Sequence, residues 1–231
     1  MSPLDDSTER PLSMSRERFE RIYKAIRDRI CLLEYQPGER LGEEELAREF
    51  EVSRTPIRRV LSRLEGEGLL ESRHGVGTFV TDVDIDALSQ VFQLRMELAV
   101  LIGKLDPIPR SAADLARVRE ILARCDEHTK APDAKVYARI NMDFFQELGA
   151  MIGNAPLKEI SERLYYLTTR IWLKSVPHLN LRDEIIVFRR EVADVLAAME
   201  AGDLEAVGHI RRSHISMSVK RMKHYPDGKS H

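Results

Sequence analysis

Apolar residues in the first part of the chain recur with the spacing of one buried helix face. Within residues 17–33 they stand three or four positions apart, at Phe19, Ile22, Ile26, Ile30 and Leu33. This period is typical of an amphipathic helix that packs one side against a core. The helix is predicted to end before Pro37 and Gly38, because this pair breaks helical structure.

Two shorter helices and a hairpin are predicted next. Residues 43–50 form the second helix, with acidic residues in its first turn, where the helix dipole favours negative charge. The third helix begins at Thr55 and Pro56, an N-cap followed by proline at the first helical position. Strands at residues 69–73 and 78–81 flank a tip at residues 74–77 whose glycines supply the positive φ of a hairpin. Helix, helix, turn, helix and hairpin together predict a winged helix-turn-helix.

After Asp82 the pattern is helical only. Six segments with helical spacing, separated by Pro, Gly and Asn breaks, are predicted at residues 85–105, 112–128, 134–152, 156–175, 182–201 and 204–223. The predicted fold class is therefore mainly α, with a winged helix-turn-helix at residues 16–83 and an all-helical domain at residues 84–225. Residues 1–15 and 226–231 are expected to be disordered tails. The join at residues 81–84 is short, which favours mechanical coupling between the two domains.

Composition narrows the class of protein without naming it. A chain of 231 residues suits two domains, and no stretch has the roughly 18 uncharged apolar residues that cross a bilayer. We therefore expect a soluble cytoplasmic protein with no membrane partner. Cys31 and Cys125 stand in separate helical patterns without metal spacing, so neither a disulfide framework nor a zinc site is predicted.

Charge placement, rather than net charge, points to nucleic acid. The net charge is −2, and residues 1–83 hold 14 Lys and Arg against 17 Asp and Glu. Residues 39–51 hold six Glu and two Arg, whereas residues 53–63 hold four Arg and no acid. A recognition helix in the major groove presents long cations and small hydroxyls at its start. The predicted DNA contacts are Ser53, Arg54, Thr55, Arg58 and Arg59 on this helix, with His74 and Gly75 in the wing.

At these residues the sequence resembles the GntR family of bacterial transcription regulators. The matching pieces run without a gap over about 60 residues: Pro37-Gly38-Glu39-Arg40-Leu41, Glu45-Leu46-Ala47, Val52-Ser53-Arg54-Thr55-Pro56-Ile57-Arg58, Leu64-Glu65, Gly68-Leu69 and Gly75. The sequence departs from the family at Arg59-Val60, where Glu-Ala is usual, and at Glu44, where many members carry Arg. Both departures change the expected operator footprint.

The second half resembles the FCD type of effector domain within that family. The matching residues are Arg95, Asn141-Met142-Asp143-Phe144-Phe145, Gly153-Asn154, Ala198, Gly202-Asp203 and His214. The resemblance implies a homodimer that binds double-stranded operator DNA and a small organic acid, often beside a metal ion.

The ligand set of that metal is incomplete in this chain. The family's four ligand positions fall on Asn141, Phe145, Val192 and His214. Phenylalanine and valine donate no lone pair, and the remaining two side chains fall short of the three or four protein ligands that zinc takes. We therefore predict no metal and no cofactor, and an apolar pocket in which Arg95, Asn141, Phe145, Val192 and His214 contact the effector.

Two alternatives stay open at this point. In the first, the pocket is closed by its own side chains and the protein is a DNA-binding regulator without an effector. In the second, the helical domain carries an enzyme, for which only the spacing of Asp143 and Glu147 offers paired carboxylates. No nucleophile accompanies that pair, so the protein is predicted not to be an enzyme. Trp172, Tyr165 and Tyr166 stand at helical spacing, which is usual for core residues.

Overall fold

The computed structural model describes residues 9–82, 84, 86–175 and 179–223, with side chains from residue 14 to residue 222 within those ranges. The chain divides after Asp82 into two compact units. Residues 1–8 and 226–231, for which we predicted disordered tails, lie outside the described residues.

The first unit combines three helices with a small antiparallel sheet. Its elements are α1 (Glu9–Cys31), β1 (Arg40–Leu41), α2 (Glu43–Glu49), α3 (Arg54–Gly66), β2 (Leu70–Arg73) and β3 (Gly77–Val80). The strand order is β1-β3-β2, with Arg40 opposite Phe79 and Arg73 opposite Gly77. This is the predicted winged helix-turn-helix.

The apolar stripes of α1 and α3 form the core of this unit. Ile22, Ile26 and Ile30 of α1 are fully buried, as are Ile57, Val60 and Leu64 of α3. α3 contacts α1, α2 and β2. Because all of its apolar residues lie on this buried side, the opposite side of α3 faces solvent.

Two features of this unit differ from expectation. α1 begins at Glu9, so residues 9–15 are helical and not part of a disordered tail. Pro11 does not prevent this, because a helix tolerates proline in its first turn, where the missing N–H has no intrahelical acceptor. β1 is only two residues long, too short for an alternating pattern to reveal it in the sequence.

In the described part of the second unit, every named element is a helix. Its helices are α4 (Ser89–Leu101), α5 (Ala112–His128), α6 (Ala134–Gly149), α7 (Ala155–Ser175), α8 (Leu181–Glu200) and α9 (Leu204–Lys223). Five of these helices begin with a side-chain cap, in which a side-chain oxygen accepts from a backbone amide of the first turn. The capping residues are Ser111, Asp133, Asn154, Asn180 and Asp203. The mainly α fold class predicted from the sequence is confirmed.

Glycines allow two helices of this unit to approach closely. α4 packs mainly against α9 and also against α7. A Cβ on Gly208 of α9 would lie 2.7 Å from the carbonyl oxygen of Ala99 in α4, and a Cβ on Gly103 would lie 2.0 Å from that of Leu204. Only glycine fits such contacts. The close approach places the side chains of α4 and α9 against each other in the interior.

Candidate functional site

The predicted contact residues gather at the exposed start of α3. Ser53 takes the N-cap position with extended backbone, and the helix begins at Arg54. The side chains predicted to meet DNA from this segment are all exposed: Ser53, Arg54, Thr55, Arg58 and Arg59. The structure thus brings them together on one surface, which we call the reading surface.

Two of these arginines are bound by acids of α2, which sequence reasoning did not foresee. Arg58 donates from Nε to Oε1 of Glu43 at 3.1 Å and from Nη2 to Oε2 at 3.0 Å. Arg54 donates from Nη2 to Oε2 of Glu43 at 3.1 Å and from Nη1 to Oε1 of Glu44 at 3.0 Å. The guanidinium groups of Arg54 and Arg58 are therefore held in place by α2. Hydrogen bonds from Arg58, and then from Arg54, lower the pKa of Glu43.

The other two arginines of α3 differ from each other. The guanidinium of Arg63 lies 3.8 Å from the ring centre of Tyr23 and pairs with Glu20 and Glu67. Arg63 therefore fastens α3 to α1. Arg59 is exposed above the ring of Phe19 and forms no ion pair with any residue that the structure describes. Its charge remains available to a phosphate.

The wing presents its predicted residues at an exposed tip. His74 and Gly75 lie between β2 and β3, and both are exposed. Gly75 has φ +71°, a left-handed conformation that a side chain would strain. Next to the tip, Arg73 stacks 4.5 Å from the ring centre of Phe79 and pairs with Glu71 at 2.6 Å. The tip thus offers bare backbone beside a fixed cation.

The second unit encloses a cavity of about 100 Å³ between α4, α6, α7, α8 and α9. Three of the predicted effector contacts line it, namely Arg95, Asn141 and His214. Aromatic rings of Tyr137 and Trp172 form part of its wall and stack on each other with centres 3.9 Å apart. The cavity is therefore open to a small molecule that has both a polar and an apolar part.

Charged residues of the cavity wall are paired with one exception. Arg211 binds Glu191, and both side chains are 8% exposed. Arg221 donates to both oxygens of Glu184, at 2.6 and 2.9 Å. Arg95 forms no ion pair with any described residue; its Nη1 donates to the hydroxyl of Thr168 at 2.6 Å.

The environment of Arg95 opposes its charge. Burial, with a smaller effect of Arg211, lowers the pKa of Arg95 from 12.5 to about 10. The group is thus still a cation at neutral pH. Its guanidinium lies near two rings, Tyr165 at 5.3 Å and Phe92 at 5.6 Å, and the charge of Glu191 partly offsets the lowering of its pKa. A half-buried cation without an ion-pair partner is a place where an anion would be stabilised.

Further polar groups surround this cation. Asn141 accepts a hydrogen bond from the Tyr165 hydroxyl at 2.8 Å. His214 has its Nδ1 3.9 Å from Oε2 of Glu191. The indole N–H of Trp172 is buried and has no partner among the residues that the structure describes. Among the described residues of the cavity wall, Trp172 thus offers an unused N–H donor and Arg95 a cation without an ion pair.

Two predicted effector contacts do not line this cavity. Phe145 stacks flat on Tyr165, with ring centres 3.6 Å apart, and borders a smaller cavity of about 30 Å³. Val192 is fully buried in the hydrophobic core. One residue along a helix turns the side chain by about 100°, so the neighbouring Glu191 faces the cavity in its place. The sequence pattern missed Glu191 and Glu184 because charged residues in a helix are ordinarily assigned to the solvent side.

The four positions that hold a metal in the related domains do not fit one here. Asn141 is engaged by Tyr165, Phe145 is stacked on the same ring, and Val192 lies in the core. Across the described part of the chain, no three His, Cys, Asp or Glu side chains are grouped so as to hold a metal ion. The chemistry of this cavity is therefore derived from its own side chains.

The fold and its two sites define a winged helix-turn-helix DNA-binding protein with an all-helical second domain. Family comparison agrees: residues 18–80 match the bacterial regulatory proteins of the gntR family, and residues 90–217 match the FCD domain. The chain belongs to the GntR family of transcription regulators, in its FCD group. The expectation drawn from the sequence motifs is confirmed, and these relatives are regulators, not enzymes.

Curated relatives extend along most of the chain. The Uxu operon transcriptional regulator of Escherichia coli is 25% identical over an alignment of 225 positions, which covers 88% of this chain and 86% of that protein. A probable D-xylose utilization operon transcriptional repressor of Paenarthrobacter nicotinovorans is 26% identical over 191 residues, 83% of this chain and 82% of that protein. Both alignments include the two domains.

Solved structures share the fold. E. coli McbR/YncC superposes with a TM-score of 0.76 at 20% identity, covering 90% of this chain and 97% of that one. A putative GntR regulator from Rhodococcus sp. RHA1 gives a TM-score of 0.70 at 18% identity, covering 91% of this chain and all of that one. Separately, none of the helices in the described residues is both long and apolar enough to span a bilayer.

Proposed function

We propose that this regulator reads a double-stranded operator through α3 and the wing, and that a small organic monoanion in the helical cavity controls its affinity for that DNA. The first half rests on the reading surface, where exposed arginines and hydroxyls meet at a helix start. Such a helix lies in the major groove with its N-terminal residues at the base edges. Arg59 and the wing tip supply contacts to the phosphates on either side.

The unpaired Arg95 is the observation that carries the second half. The cavity wall holds three arginines (Arg95, Arg211, Arg221) and two glutamates (Glu184, Glu191), which leaves one positive charge when His214 is neutral. A ligand with one carboxylate would neutralise this excess, whereas a dianion would leave a buried negative charge unmatched.

Size and wall chemistry restrict the ligand further. The cavity of about 100 Å³ is smaller than the roughly 150 Å³ that holds benzene in a dry protein interior. Its wall is partly aromatic, and Trp172 offers an unused N–H donor. The proposed effector is therefore a compact carboxylate with a small aliphatic body, such as isobutyrate.

The single tryptophan of the chain lies in the cavity wall and reports binding directly. Isobutyrate should change Trp172 fluorescence with saturation, whereas isobutyramide and succinate should not. An Arg95→Gln variant that melts at the same temperature as the parent should lose the response. Equal responses to isobutyrate and isobutyramide would show that charge recognition by Arg95 is wrong.

The DNA contact is tested on the operator selected from a random pool. Arg58→Ala should weaken operator binding on the order of tenfold and relax the preference for one base. Arg119→Ala removes an equal charge from an exposed ion pair with Glu200 in the helical domain and should leave operator binding unchanged. Unchanged binding by Arg58→Ala would refute the docking.

We further propose that the active form is a homodimer on an inverted repeat. A single winged domain buries little surface, and two linked heads reach the affinity that operators require. Sedimentation at micromolar concentration should give a dimer, and two protomers should bind each operator. A monomer that binds one half-site tightly would contradict this proposal.

A further inference from the structure

Arg58 is bound along one edge and free at its end. Its Nε and Nη2 donate to the two oxygens of Glu43 at 3.1 and 3.0 Å, while Nη1 has no partner among the described residues. The guanidinium is planar with five N–H donors in a fixed fork. Fixing the Nε–Nη2 edge therefore fixes the direction of the Nη1–Nη2 end.

The exposure of the two side chains shows which group lies outside. The side chain of Glu43 is 27% exposed and that of Arg58 is 66% exposed. Glu43 lies in the first turn of α2, so its carboxylate is held by a second helix and not only by the flexible arginine. Glu43 thus supports the guanidinium of Arg58, and the Nη1–Nη2 end of that group faces outward.

Arg54 shares the same carboxylate but differs at its end. Its Nη2 donates to Oε2 of Glu43 and its Nη1 to Glu44. Both sides of this guanidinium are thus engaged by acids. A base could use the end of Arg54 only after Glu44 releases it, whereas the end of Arg58 needs no such release.

We infer that Glu43 is a positioning residue for base recognition, and that it orients Arg58 so that Nη1 and Nη2 meet O6 and N7 of a guanine. The inference rests on the proposed DNA contact of α3. Arginine bound end-on to guanine is a strong specific contact in the major groove. Orienting the side chain before DNA arrives removes part of the rotamer entropy that binding otherwise costs.

A purely electrostatic role for Glu43 predicts a different result. An acid near DNA repels phosphates, so removing it would strengthen binding to every sequence by a similar factor. Loss of a positioning residue instead lowers the preference for one base over the others. The ratio of affinities between operators that differ at one base pair therefore separates the two roles.

Glu45 provides the matched control. It stands in the same turn of α2, is exposed, and forms no ion pair with any described residue. The dissociation constants of the parent, Glu43→Gln, Glu45→Gln and Arg58→Ala are measured on the selected operator, on its single-base variants and on unrelated duplex. Arg58→Ala identifies the base pair that Arg58 reads.

Glu43→Gln should lose on the order of tenfold discrimination at that same base pair, with unrelated duplex bound as well as before or better. Glu45→Gln should keep the parent's discrimination. Discrimination retained by Glu43→Gln would overturn the inference. An Arg58→Ala variant with unchanged base preference would refute the DNA contact of Arg58, and with it the role of Glu43.

A measurement on the DNA-free protein tests the orientation independently. The Nε–H signal of Arg58 in a ¹⁵N spectrum should be protected from water exchange in the parent and in Glu45→Gln, because Glu43 accepts that hydrogen. Protection should fall markedly in Glu43→Gln, because the neutral amide offers one acceptor oxygen in place of two charged ones, in a protein whose circular dichroism matches the parent. Protection that persists in Glu43→Gln would also overturn the inference.

Discussion

The reading surface and the helical cavity use the same ion-pair chemistry under opposite conditions of exposure. On the reading surface, Arg58 and Glu43 are in contact with water, with side chains 66% and 27% exposed. In the cavity, Arg211 and Glu191 are each 8% exposed. Exposed pairs contribute little to stability because water and salt screen them, whereas a buried charge without its partner is costly.

Because the two regions differ in exposure, an excess of one charge has a different effect in each. On the reading surface, two acids of α2 offset two arginines of α3, which restrains the cations without making the fold depend on them. In the cavity, Arg95 is the cation left over. There we propose that the imbalance marks a binding site, because an anionic ligand can supply the missing charge.

Breaking the buried pair should have the largest effect. Glu191→Leu leaves Arg211 buried without a counter-ion, so we expect the free energy of unfolding to fall by about 3–5 kcal/mol. The double variant Glu191→Leu with Arg211→Met should recover most of that loss, because two apolar side chains can replace a buried pair. Chemical denaturation measures both, and equal losses in the single and double variants would contradict the charge argument.

Much of the reading surface could be predicted from the sequence, but its pairing could not. The buried face of α3 fixes where Arg54 and Arg58 point, since residues at helical spacing share a side. Their contacts with Glu43, 11 and 15 residues earlier, depend on the angle between α2 and α3. The spacing of residues within one helix does not reveal the angle between two helices.

The cavity was less predictable for a related reason. Arg95, Asn141 and His214 came from the family resemblance, and the structure does bring them together in the cavity wall. Glu184 and Glu191 were not predicted to line the cavity. A buried acid needs a cationic partner, and here Arg221 and Arg211 supply it from another helix. The prediction that Val192 lines the cavity was wrong by one residue. A shift of one residue along a helix is enough to turn a side chain from the cavity into the core.

Removing the unpaired cation Arg95 should change the free energy of unfolding by a smaller amount, and in the stabilising direction. Arg95 carries its charge against the cost of burial, which lowers its pKa to about 10. Arg95→Met should therefore raise the free energy of unfolding of the ligand-free protein by about 1 kcal/mol. Arg211→Met, which strands Glu191, should lower it. Thermal unfolding without added carboxylates compares the two, and a marked loss of stability in Arg95→Met would contradict the view that Arg95 serves a ligand.

The smallest effect is expected at the edge of the reading surface. The side chain of Glu44 is 73% exposed, and its carboxylate accepts a hydrogen bond from Nη1 of Arg54 at 3.0 Å. Glu44→Gln should change the free energy of unfolding by less than about 0.5 kcal/mol, as for other exposed pairs.

Its effect on DNA should be a gain. Without the carboxylate, Nη1 of Arg54 is held less tightly and a negative charge no longer faces the phosphates, so affinity for any duplex should rise a few-fold at low salt. The gain should shrink as salt rises, because screening weakens the repulsion that was removed. Binding isotherms at two salt concentrations measure this, with Glu127→Gln, an exposed acid of α5, as the charge-matched control. A gain confined to one operator base pair, or no gain at either salt concentration, would contradict the electrostatic effect of Glu44.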